Sequence, residues 1–102
     1  MGSGKLDFLG LSEELLSHAR QCLAKWLPGG KIIGSEYVCG SLQGERGKSL
    51  SVNIRTGVWK DFATEESGGD LIDLYAAINN IGVGDAAKDL ADQLGYNLGV
   101  KP

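Results

Sequence analysis

The sequence predicts an α+β domain, a small antiparallel sheet packed with three helices, on two observations. Apolar residues recur at helical spacing near the front of the chain and again over its last third. Between those stretches lie short alternating runs separated by glycine-bearing turns, the pattern of a small sheet. The predicted order is α-β-β-β-β-α-α. At 102 residues the chain suffices for one domain with one modest core.

The first helix is predicted over residues 12–27. Ser12 suits an N-cap, and Glu13 and Glu14 follow where negative charge meets the free N–H groups of a first turn. Leu11, Leu15, Ala19, Cys22, Leu23, Trp26 and Leu27 then share a face, and Pro28-Gly29-Gly30 ends the helix. Lys31-Ile32-Ile33 and Glu36-Tyr37-Val38-Cys39 are short strand runs broken by Gly34, and residues 40–47 form a glycine-bearing loop. Residues 49–54 alternate, with Leu50, Val52 and Ile54 on one face and Ser51 and Asn53 on the other.

Arg55-Thr56-Gly57 turns the chain into a returning strand, Val58-Trp59-Lys60-Asp61-Phe62. A polar loop over 64–69 leads to Asp70, the N-cap of a helix carrying Leu71, Ile72, Leu74, Tyr75 and Ile78. After a connector over 79–84, Asp85 caps the last helix, which carries Ala86, Ala87, Leu90, Ala91 and Leu94 and closes at Gly95. Residues 1–11 read as a leader, 12–96 as the domain and 97–102 as a linker end.

The net charge of -3 hides an asymmetry. Residues 31–60 carry Lys31, Arg46, Lys48, Arg55 and Lys60 against Glu36 and Glu45, whereas residues 61–102 carry eight acids against Lys88 and Lys101. An anionic partner therefore favours the middle third, and the whole-chain charge opposes tight nonspecific DNA binding. The chain has neither an apolar run of membrane-spanning length nor a secretory leader, so a cytoplasmic setting with reduced Cys22 and Cys39 is expected. His18 is the single histidine, and no nucleophile–base spacing is recognisable, so the chain itself is read as non-catalytic and without a cofactor.

Three stretches carry more information: Gly44-Glu45-Arg46-Gly47-Lys48-Ser49-Leu50-Ser51-Val52, Thr56-Gly57-Val58-Trp59-Lys60-Asp61-Phe62-Ala63-Thr64, and Gly68-Gly69-Asp70-Leu71-Ile72-Asp73-Leu74. In this order they resemble the N-terminal zinc-ribbon family of bacterial and phage DNA primases. The similarity is greatest to a subgroup from phage and mobile-element primase-helicase proteins. Metal-binding members of that family carry a Cys-x2-His pair before the hairpin and a Cys-x2-Cys pair after it. Here Cys39, Leu42, Asp61 and Thr64 fall in those slots. One soft ligand among four cannot hold a tetrahedral zinc. His18 and Cys22, one helical turn apart, offer a rescue with Cys39, but no motif joins them. The expectation is therefore a metal-free ribbon, supported by the first helix, Trp26, Ile32, Ile33 and the Leu50/Val52/Ile54 face in place of an ion.

The resemblance implies a strand surface that engages single-stranded DNA weakly, with aromatic platforms beside phosphate-binding cations. Tyr37, Trp59 and Phe62 are the candidate platforms; Arg46, Lys48, Arg55 and Lys60 are the candidate cations. Trp59 depends on register. A two-residue Thr56-Gly57 turn pairs Ile54 with Trp59 and puts the indole in the core, whereas a three-residue turn with a bulge at Gly57 turns it outward. Burial pressure on tryptophan favours the core. Lys60-Asp61 reads as a local surface pair, and Gly68-Gly69-Asp70 as a tight turn plus cap rather than a phosphate cradle. The alternative function is a docking module that packs on the catalytic primase or helicase domains of a parent chain without touching DNA.

Overall fold

A computed structural model describes residues 7–97. Its elements are α1 (Phe8–Ser17), α2 (Ala19–Trp26), β1 (Lys31–Ile33), β2 (Glu36–Cys39), β3 (Leu50–Asn53), β4 (Trp59–Asp61), β5 (Ser67–Gly68), α3 (Leu71–Asn79) and α4 (Val83–Leu94). The strands form one antiparallel meander in the order β1-β2-β3-β4-β5, with the helices on one face. The α+β class holds, with one more helix and one more strand than the alternation suggested.

The front of the chain differs from expectation in two ways. The helix begins at Phe8 rather than near Ser12, because Asp7 is the cap: its Oδ1 accepts the Gly10 N–H at 2.9 Å. Tyr96 Oη donates to the other oxygen of that carboxylate at 2.9 Å and ties the cap to the end of α4. The expected single helix is also broken at His18, whose φ of -119° and ψ of 27° leave the helical region. The break lets α1 lay Leu11 and Leu15 against α3 and α4 while α2 runs to the sheet. There the Leu27 carbonyl accepts the Tyr37 hydroxyl at 2.6 Å.

The core joins Leu11, Leu15, Leu23 and Leu27 to Tyr37, Cys39, Leu50, Val52 and Trp59, and closes on α3 and α4 through Leu71, Ile72, Leu74, Ala86, Ala87 and Leu90. Leu50 and Val52 point inward and Ser51 and Asn53 outward, as the alternation required. Ile32 and Ile33, expected to help replace the ion, are 40% and 49% exposed. They lie on the edge strand β1, where the helix layer does not cover them, and Trp26 is only half-buried.

The β3–β4 hairpin uses neither turn considered from the sequence. Val52 pairs with Trp59, leaving residues 54–57 as the loop. Asn53 sets this length: its Oδ1 accepts the Arg55 and Thr56 N–H groups at 2.8 and 3.1 Å, and its carbonyl accepts that of Gly57 at 2.8 Å. Gly57 has a φ of 82°, which a side chain would resist. The register differs by two residues from the two-residue turn, so Trp59 keeps the inward face and is 3% exposed.

The polar loop expected over 64–69 contains strand β5 instead. It pairs Gly68 with Trp59, and a Cβ on Gly68 would sit 2.4 Å from the indole Nε1. Asp70 caps α3 by accepting the Asp73 N–H at 2.8 Å, so the glycine pair serves as turn and cap. Helix α4 starts at Val83, behind the Gly82 cap, and Asp85 lies in its first turn rather than capping it. Gly95 closes α4 in the left-handed conformation, with a φ of 67°.

Candidate nucleic-acid interface

The pleat divides the candidate residues between two faces of the sheet. Tyr37 and Trp59 both point inward: Tyr37 is 4% exposed and spends its hydroxyl on Leu27. Neither can serve as a stacking platform. The expectation failed for Tyr37 because a four-residue strand, Glu36–Cys39, has too few alternating positions to reveal its buried face.

Phe62 points outward and is 62% exposed. Its N–H donates to the Ser49 carbonyl at 2.7 Å, which ties this end of β4 to the point where the 40–47 loop and Lys48 lead into β3. Lys60, also outward, places its Nζ 5.1 Å from the Phe62 ring centroid and 3.4 Å from Glu65 Oε1. Arg46 and Lys48 are exposed on the adjoining loop, with no ion pair or side-chain hydrogen bond among the described residues. Phe62 and Lys60 thus share one corner, and the loop that leads into Ser49 brings Lys48 and Arg46 to the same end of the sheet. Arg55 lies at the opposite end of the hairpin.

Three further residues shape this face. Lys31 joins it through the cross-strand row Lys31, Val38, Ser51, Lys60, a neighbourhood that only the strand order reveals. Val58 is 52% exposed and adds apolar surface. Glu36 opposes an anion: its carboxylate lies mid-face and accepts Ser51 Oγ at 2.6 Å and Asn53 Nδ2 at 3.2 Å.

Asp61 corrects the surface-pair expectation. It is 1% exposed on the inner face, and its Oδ1 accepts the N–H groups of Ala63 at 2.9 Å and Thr64 at 3.4 Å. The register places it across Leu50 from Cys39. Cys39 Sγ donates to the Ser41 carbonyl at 3.3 Å, and Leu42 packs against the core. Both turns that would carry zinc ligands in the resembling family are therefore held by hydrogen bonds and apolar contact. Burial pushes the Cys39 thiol up, only partly countered by the Ser41 bond and reinforced by the negative charges of Glu45 and Asp61. A protonated thiol is a poor metal ligand. No group of three or more His, Cys, Asp or Glu side chains among the described residues could hold a metal ion. The residues present do not fit zinc.

Burial raises the Cys22 thiol despite nearby Lys25, and His18 Nε2 lies 3.4 Å from Glu14 on the helix surface. No helix among the described residues is long and apolar enough to cross a membrane. No family model, curated protein or solved structure matches the chain.

Proposed function

We propose that this chain is a non-catalytic, nucleic-acid-binding accessory domain of a DNA primase or primase-helicase, engaging single-stranded template DNA. The observation that carries the reading is the outward Phe62, with Lys60 against its ring and with Lys48 and Arg46, unpaired among the described residues, on the loop that leads into its partner Ser49. An exposed aromatic accepts a base by stacking, and flanking cations meet the phosphates on either side. One platform contributes about 1–3 kcal/mol. With Glu36 mid-face and a net charge of -3 opposing it, affinity falls in the weak range, about 10⁻⁴ M at moderate salt.

The test is a titration of isotope-labelled protein with oligo-dT at low and moderate salt. Amide signals of Phe62, Lys60, Lys48 and Arg46 move, and the effect fades steeply with salt. Silence at millimolar strand in low salt ends the reading.

A second reading is favoured by the helix layer. Two adjoining cavities of about 320 and 340 Å³ share Lys25, Trp26 and Gln93; Leu90 and Leu94 line one, Tyr75 and Ile78 the other. Such a groove suits docking on a domain of the parent chain. Under it, DNA leaves the Arg46, Lys48 and Arg55 amides still, while the added partner domain shifts those of α2 and α4.

A further inference from the structure

A cavity of about 490 Å³ opens where α1 gives way to α2, facing the 54–57 loop. Its volume is that of a small-molecule site. Leu16, Ala19 and Ile54 supply apolar lining, and Arg20 and Arg55 bring two guanidinium groups. Each arginine is placed by a feature that the sequence did not foretell. The helix break at His18 sets Arg20 at the start of α2, and the Asn53 carboxamide orders the loop that carries Arg55.

Neither guanidinium has an ion pair or hydrogen bond among the described residues. Of the other polar lining groups, Ser17 Oγ donates to the Glu14 carbonyl at 2.7 Å and His18 lies 3.4 Å from the Glu14 carboxylate, while Gln21 adds a carboxamide. Arg20 and Arg55 line the same cavity, and their planar forks match phosphate oxygens in pairs. The apolar lining suits a base or sugar better than a bare ion.

We propose that this cavity binds the phosphate of a nucleotide, with Arg20 and Arg55 as the phosphate contacts and Leu16, Ala19 and Ile54 as the seat for the rest of the unit. The nucleotide is either free or the phosphorylated end of a strand. The inference extends the nucleic-acid reading and rests on it for the strand-end source. It takes Arg55 out of the Phe62 corner and gives it a separate task.

The test titrates labelled protein with pyrophosphate, dATP, and oligo-dT with and without a 5′-phosphate, in low salt. The amides of Arg20, Ile54 and Arg55 shift saturably, dATP binds more tightly than pyrophosphate, and Arg20→Gln or Arg55→Gln weakens dATP by about tenfold. Both arginines are exposed, so retained signal dispersion shows that the variants fold. A preference for the phosphorylated strand identifies a strand end; a response to dATP without that preference identifies the free nucleotide. No shift at these amides with any probe, or variants that bind dATP like the parent chain, overturns the proposal. If oligo-dT moves the Phe62 corner while the Arg20 and Arg55 amides stay still with every probe, the cavity proposal fails and the interface reading survives. A dATP response with a silent Phe62 corner supports the cavity and removes the interface.

Discussion

Replacing Asp61 by alanine tests what holds the turn that follows β4. Asp61 is 1% exposed, and its Oδ1 accepts one well-formed N–H bond from Ala63 at 2.9 Å and a longer one from Thr64 at 3.4 Å. Hydrogen bonds to a charged acceptor contribute about 1.5–3 kcal/mol each. One full and one partial bond amount to roughly 2–4 kcal/mol. Relief from holding a carboxylate out of water offsets part of that loss, so Asp61→Ala costs about 2 kcal/mol net. For a domain of this size the melting temperature falls by roughly 8–16 °C. Asp61→Asn keeps an acceptor at the same atom and recovers most of the loss. Thermal unfolding followed by circular dichroism gives the stabilities, and hydrogen exchange shows whether the Ala63 and Thr64 amides lose protection. An alanine variant within about 0.5 kcal/mol of the parent chain, or an asparagine variant no better than alanine, refutes the claim that this carboxylate holds the turn. A metal chelator leaves the melting temperature of the parent chain unchanged; a drop would mean that a bound ion shares the task.

Three other outcomes follow from the same geometry. Phe62→Ala weakens oligo-dT binding by about 1–3 kcal/mol while leaving thermal stability within about 0.5 kcal/mol, because the ring is mostly in solvent. Gly68→Ala drives a methyl group against the Trp59 indole, whose Nε1 has no acceptor among the described residues. It destabilises by about 1–3 kcal/mol and alters tryptophan fluorescence. Stability also falls as pH rises above the ordinary cysteine value of 9.0, because burial holds the Cys39 proton in the folded chain after the unfolded chain has lost it. Cys39→Ala flattens that alkaline limb in pH-dependent denaturant titrations.

The legible parts of the site were those in which one residue carried its own signal. Asp70 reads as a cap because a short acidic side chain before an apolar run has one good use, and the structure has it accepting the Asp73 N–H. Lys60 and Phe62 are candidates on one strand, as a cation and a platform, and both point outward. Tyr37 was misplaced because its strand is too short for periodicity to show a face. Asp61 was misplaced because a buried carboxylate without a cation defies composition rules, and only the hydrogen bonds of its turn explain it.

Read alone, the sequence determines the α+β class, the inward face of Leu50 and Val52, and the glycine that ends α4, since each depends on spacing and local backbone preference. Tertiary structure decided the rest. Strand β5 and the seat of the α2 end on the sheet rest on groups that meet across the fold, Trp59 over Gly68 and Tyr37 on Leu27. The bond from Phe62 to Ser49, and the cavity shared by Arg20 and Arg55, join residues far apart along the chain or on different elements. Local propensity is written residue by residue, whereas proximity between distant residues exists only once the chain has packed.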